Sequence, residues 1–196
     1  MGEKDMCRRR KLQKIISWFI CLTVLIGLLV YVGVNQYYPV QYMDIINKYS
    51  REYGFTSEFV CAVIHAESKF KEETVSNKGA SGLMQITEHT AYWLAQESEL
   101  ENFQYGQIFD PEINIRLGCY YLDRLIKQYD SVEVALSAYN AGSGNVTSWL
   151  DNSEYSDDGK TLKYIPFQET RDYVKRISAN QKVYAFILKV KNLFSS

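Results

Sequence analysis

The chain has 196 residues, 46% of them hydrophobic and 14% aromatic, and that much large apolar surface excludes an intrinsically disordered protein. A net charge of −1 argues against a dedicated nucleic-acid binder, which needs a basic surface, so no nucleic-acid partner is expected. The charge is unevenly placed: residues 1–14 hold six Lys/Arg against Glu3 and Asp5, a balance of +4, which leaves −5 for the remainder.

Residues 1–14 read as a basic cytoplasmic tail. Ile15 to Val34 is a run of 20 residues without a charge. As a helix it measures about 30 Å, the thickness of a bilayer's hydrocarbon core. A secretory signal peptide has a shorter apolar region that ends in small residues. This run leaves through Val34-Asn35-Gln36-Tyr37-Tyr38, so an uncleaved transmembrane anchor over 15–34 is expected. Arg8-Arg9-Arg10-Lys11 stand just before it, and Lys/Arg excess stays on the cytoplasmic side. The chain is therefore expected to cross the plasma membrane once, N-terminus inside. The linker 35–41 and the domain 42–196 then lie on the outer, cell-wall face.

The domain is predicted to be mainly α. Val40–Tyr53 has helical apolar spacing and Gly54 as a C-terminal cap. Ser57–Phe70 starts at a candidate N-cap, Ser57. Lys71–Thr87, with Gly79, Ser81 and Gly82, reads as a tight loop, and Glu88–Glu99 as a helix. Asp110-Pro111 is an N-cap followed by proline at the first helical position. Ser131 caps a helix that stops at Gly142, Asp151–Gly159 is an acidic turn, and Pro166 opens a last long helix. Cys61 and Cys119 lie on helix-like segments without metal-ligand spacing and read as buried free thiols. His65 and His89 fall on polar faces and are expected in solvent, as are Lys182, Lys189 and Lys191. Trp93 and Trp149 read as core or cleft-wall aromatics.

One residue is out of place on this map. Phe59, Val63, Ala66 and Phe70 form an apolar stripe widened by Val60 and Ile64, and Glu67 falls inside that arc. Burial raises a carboxyl pKa, and a Glu held protonated near neutral pH suits a general acid. Glu67-Ser68 is followed by the Gly-rich turn Gly79-Ala80-Ser81-Gly82-Leu83-Met84-Gln85, then by Ala138-Tyr139-Asn140-Ala141-Gly142, then by Glu169-Thr170-Arg171-Asp172-Tyr173. Glycine lets backbone approach a ligand, and the Tyr-Asn pair offers a phenol and an amide to a sugar.

In this order and spacing the four segments resemble the soluble-type lytic transglycosylases of the lysozyme-like superfamily, from about Tyr42 to Tyr184. The resemblance implies a lysozyme-like helical domain that cleaves peptidoglycan glycan strands. It casts Glu67 as the single catalytic acid, and Ser76, Met84, Gln85, Tyr139, Asn140 and Tyr173 as substrate-cleft residues. Ser68, Gly82 and Glu169 become structural support, Glu169 as a buried acid. Leu-Met-Gln-Ile often continues to a proline in that family, whereas Ile86-Thr87-Glu88-His89 has none. No cofactor and no metal are expected, and Asp151–Gly159 lacks the calcium-loop ligand order. Two alternatives stay open: a goose-type lysozyme-like hydrolase of the same bond, and an inactive wall-binding scaffold within cell-envelope machinery.

Overall fold

The computed structural model describes residues 3–194. Among them are eight α-helices, one 3-10 turn and one short hairpin, in two compact units, residues 1–39 and 40–196. The first unit is α1, Glu3–Tyr37. Its stretch Gln13–Tyr37, 25 residues that include an 18-residue window of mean hydropathy 2.6, is long and apolar enough to cross a membrane.

The second unit is built around α3, Ser57–Glu67. Thr56, not Ser57, is its N-cap: the Thr56 hydroxyl accepts the Phe59 N–H, while the Ser57 hydroxyl donates to Asn47 at 2.7 Å. The helix ends at Glu67, three residues before the expected Phe70, because Lys69 and Phe70 take left-handed backbone (φ 54° and 64°). Every residue from Phe59 to His65 is buried, so α3 has no polar face. His65 is therefore not in solvent as expected. Its imidazole Nδ1 pairs with the Asn180 amide at 3.0 Å, and its ring packs edge-on against Tyr184. His89 is exposed.

Around α3 pack α2 (Met43–Glu52) and α8 (Gln168–Phe194). α8 begins two residues after Pro166 rather than at it. α5 (Pro111–Tyr129) starts as expected, with the Asp110 carboxylate accepting the N–H groups of Glu112 and Ile113. α6 (Val132–Ala141) is capped by Ser131 and ended by Gly142 at φ 89°. α7 (Ser143–Leu150) was not anticipated: its eight polar-looking residues SGNVTSWL carry only three core groups, Val146, Trp149 and Leu150. With Leu125, Val134, Ala135, Ala138 and Ile165 these form a second apolar cluster under α6. Trp149 belongs to this core, whereas Trp93 on α4 (Glu88–Glu97) is 37% exposed and packs on Tyr121. Cys61 and Cys119 are buried free thiols, and Lys182, Lys189 and Lys191 are exposed.

The expected loop 71–87 contains a hairpin, with β1 (Ala80–Ser81) antiparallel to β2 (Ile86–Thr87). The Tyr105 hydroxyl, from the 3-10 turn Tyr105–Phe109, donates toward the carbonyls of Gly79 (3.1 Å) and Ile86 (3.4 Å) and ties the hairpin down.

Candidate active site

Glu67 is the last residue of α3 and stands partly buried at the floor of a cleft. The cleft, about 350 Å³, is lined by Ser76, Gln85, Tyr139, Asn140 and Glu169, with Asn77, Lys78, Ala80 and Thr87. A larger groove of about 800 Å³ adjoins it across Lys78 and Thr87 and lies against Tyr92, Tyr105 and Phe109. One wall comes from the loop and hairpin 76–87, the other from the C-terminal end of α6 and the first turn of α8.

The Tyr173 hydroxyl donates to Glu67 Oε1 at 2.5 Å, joining residues 106 apart in sequence. Desolvation raises the Glu67 pKa from its ordinary 4.5 to about 7. The Tyr173 hydrogen bond and the Arg176 charge pull it down, and the Glu169 charge pushes it up. Burial, then the Glu67 charge, holds the Tyr173 phenol well above its ordinary pKa, so it stays a donor. A carboxyl titrating near 7 can give a proton and take one back at neutral pH.

The hairpin turn is held from below by a residue that the sequence reading passed over. Asn114 is fully buried on α5. Its Oδ1 accepts the Met84 N–H (2.7 Å), and its Nδ2 donates to the carbonyls of Ser81 (3.1 Å) and Ile108 (2.8 Å). Gly82 sits on it at φ 81°, where a Cβ would fall 2.0 Å from Asn114 Nδ2. An amide at an α5 position facing the core was the available signal.

Met84 does not line the cleft as expected. Its side chain is fully buried against Gly118, and a Cβ at Gly118 would stand 2.3 Å from Met84 Sδ. The side chain of Leu83 is buried too, so this turn offers the cleft backbone and Gln85. The Met84 carbonyl accepts the Tyr139 hydroxyl at 2.7 Å, fastening one cleft wall to the other. Gln85 donates both amide hydrogens to the carbonyls of Thr74 (2.9 Å) and Gly82 (2.8 Å), which leaves its Oε1 for a ligand. The Ser76 hydroxyl accepts the Ala80 N–H at 3.0 Å at the cleft edge.

Tyr173 is only 2% exposed, so it reaches the site through Glu67 rather than through the cleft surface. Glu169 is not the buried acid that was expected. Its side chain is 71% exposed at the rim, 3.8 Å from Lys78. Its neighbour Thr170 is buried instead, and the Thr170 hydroxyl donates to Asn140 Oδ1 at 2.8 Å and docks α8 on α6. Ser68 is buried and donates to the Ile64 carbonyl, a local helix-end contact. Among the described residues no group of His, Cys, Asp and Glu is arranged to hold a metal ion.

The family model for the transglycosylase SLT domain matches residues 44–162. The soluble lytic murein transglycosylase of Salmonella typhimurium is 33% identical over 165 residues, 83% of this chain and 26% of that protein. The membrane-bound lytic murein transglycosylase C of Pectobacterium atrosepticum is 29% identical over 169 residues, 74% of this chain and 46% of that protein. The crystal structure of the 70 kDa soluble lytic transglycosylase of Escherichia coli superposes with a TM-score of 0.70 at 31% identity, covering 81% of this chain and 26% of that one. The chain thus spans about a quarter of the length of the soluble relatives it matches.

Proposed function

Since the chain belongs to the transglycosylase SLT domain family, we propose that it is a peptidoglycan lytic transglycosylase with Glu67 as its single acid and base. The observation that carries this reading is the Glu67 carboxyl, desolvated to a pKa of about 7 at the floor of a polar cleft. The substrate is the β-1,4 bond between N-acetylmuramic acid and N-acetylglucosamine. Protonated Glu67 donates its proton to the glycosidic oxygen as the bond from that oxygen to the muramic C1 breaks. Positive charge develops at C1, and the substrate's acetamido oxygen, beside Ser76, stabilises it. Ionised Glu67 then takes the proton of the muramic C6 hydroxyl while its oxygen bonds to C1. The product is a 1,6-anhydro end, and no water is consumed. Tyr173 positions the carboxyl in both steps, and Gln85, Tyr139 and Asn140 line the sugar subsites.

Glu169 favours a second reading. It lines the same cleft, and a glycosidase that uses water employs two carboxyl groups. Mass spectrometry of digested cell wall separates the two. Anhydro-muramic ends are expected, and reducing muramic ends identify a hydrolase. Glu67→Gln is expected to lower turnover at least about 100-fold, the usual worth of a general acid. Full activity in that variant refutes the assignment, and intact wall under all conditions for the unaltered protein favours a binding scaffold.

We further propose that α1 anchors the domain in the plasma membrane, N-terminus inside, with the cleft on the wall side. Support comes from the length and hydropathy of Gln13–Tyr37 and the basic cluster before it. Co-flotation of the full chain with lipid vesicles tests the anchor, and protease protection tests its orientation.

A further inference from the structure

α8 is 27 residues long, about 40 Å at 1.5 Å per residue, whereas α3 has 11 residues. The two meet at Tyr173 beside Glu67, at Asn180 beside His65, and at Tyr184, whose ring lies 5.9 Å from His65 and 6.0 Å from Phe70. Beyond Tyr184, α8 has run past the end of its partner. Tyr184 is fully buried, yet Phe186 and Leu193 are each 68% exposed. Phe186, Val190 and Leu193, spaced i, i+4 and i+7, fall on one face, and exposed Lys182 and Lys189 line one edge of it. An apolar stripe edged with lysine is the pattern of a helix that lies in a membrane interface.

The position of this overhang in the fold names what covers it. Tyr42, where the domain's chain begins, donates its hydroxyl to Glu72 at 2.8 Å, and Glu72 is two residues from Phe70, which packs on Tyr184. The chain's entry at Tyr42 is therefore linked through Glu72 to the segment on which Tyr184, the start of the overhang, is packed. Only residues 38–42 separate α1 from α2, and an extended chain covers at most about 3.5 Å per residue. The linker between them is thus no longer than about 20 Å.

We propose that residues 185–193 dock on an anionic phospholipid surface, with Phe186 and Leu193 at the acyl boundary and Lys182 and Lys189 on headgroup phosphates. This rests on α1 being the membrane anchor proposed above. Docking fixes the domain's orientation, and hence the direction its cleft faces, where a short tether alone leaves it free to swing.

The test uses the full chain reconstituted in vesicles of phosphatidylglycerol and phosphatidylcholine. Phe186→Trp adds one tryptophan, read as the difference from the parent emission. Blue-shifted emission that brominated acyl chains quench is expected. Lys182→Gln with Lys189→Gln is expected to lower the docked-to-undocked ratio about 30-fold, the effect of removing two lysines from an anionic surface. Water-like, unquenched emission from protein that floats with the vesicles overturns the docking. A blue shift without quenching also overturns it, because a protein surface, this chain's or a second copy's, then covers the face. Failure to float overturns the anchor and the docking together.

Discussion

Replacing the Glu67 carboxyl by an amide should stabilise this protein, and by an amount that depends on pH. Folding raises the Glu67 pKa from 4.5 to about 7 through desolvation. The folded state therefore holds this proton more tightly than the unfolded chain does. Stability linked to Glu67 is fully present below about pH 4.5 and is lost as pH rises through 7. The shift is about 2.5 pH units, and at 1.36 kcal/mol per unit the ionised carboxylate costs the fold about 3 kcal/mol. Glu67→Gln keeps the shape and still accepts the Tyr173 hydroxyl, but it never ionises. Thermal or urea unfolding of the full chain in detergent micelles, followed by the near-ultraviolet signal of the packed aromatic side chains, measures the difference. Near pH 4 variant and parent should be about equally stable. By pH 9 the variant should be the more stable by up to about 3 kcal/mol, or roughly 6–12 °C in Tm for a domain of this size. Parallel stability profiles, or a gain that shrinks with rising pH, would refute the claim that burial holds the proton.

The same balance governs activity. Turnover by a protonated acid should decline as pH rises through about 7, as anhydro-muramic product formation would record. Tyr173→Phe and Arg176→Gln each remove an influence that lowers the Glu67 pKa, so each should move that alkaline limb upward. Glu169→Gln removes an influence that raises it and should move the limb downward. An unmoved limb in all three would show that the profile reports another group. Asn114→Leu strands the Met84 N–H and the carbonyls of Ser81 and Ile108 in the core and should cost at least about 3 kcal/mol, from about 1 kcal/mol upward per buried unpaired group. Urea unfolding checks this, and a loss below about 1 kcal/mol would show that the turn holds without it.

The helical class and the start of α5 were legible because they rest on local signals: apolar spacing, Asp110 before Pro111, Ser131 three residues ahead of the N–H it accepts. What escaped depends on tertiary contact. α3 reads as amphipathic because His65 and Glu58 fall opposite the apolar stripe, but α8 covers that side and supplies Asn180 to pair the imidazole. Glu169 and Thr170 are adjacent in sequence, and spacing alone does not decide which turns inward; the Asn140 amide on α6 decides for Thr170. The resemblance casts Met84 as cleft lining together with the loop that carries it. Only the missing side chain of Gly118, 34 positions on, makes room for it in the core. α7 was passed over because a helix of eight residues with three core groups gives too little periodicity to read.

The acid itself was legible for a reason that reaches beyond its place in the stripe. Glu67 closes a helix in which the seven residues from Phe59 to His65 are all buried, so the backbone carries it to the edge of the core before the chain turns away. A helix C-terminus presents partial negative charge, which also disfavours a carboxylate there. Left to burial and the Glu169 charge the group would rest as a neutral acid, well suited to donate a proton and poorly suited to recover one. Tyr173 and Arg176, both on α8, act in the opposite sense. Their combined effect returns the pKa to about 7, where a single carboxyl can serve each half of a reaction that needs an acid first and a base second. The buried helix supplies the proton affinity, and α8 trims it. The pairing of α3 with α8 through Glu67–Tyr173 and His65–Asn180 is therefore as much a part of the proposed chemistry as the cleft surface.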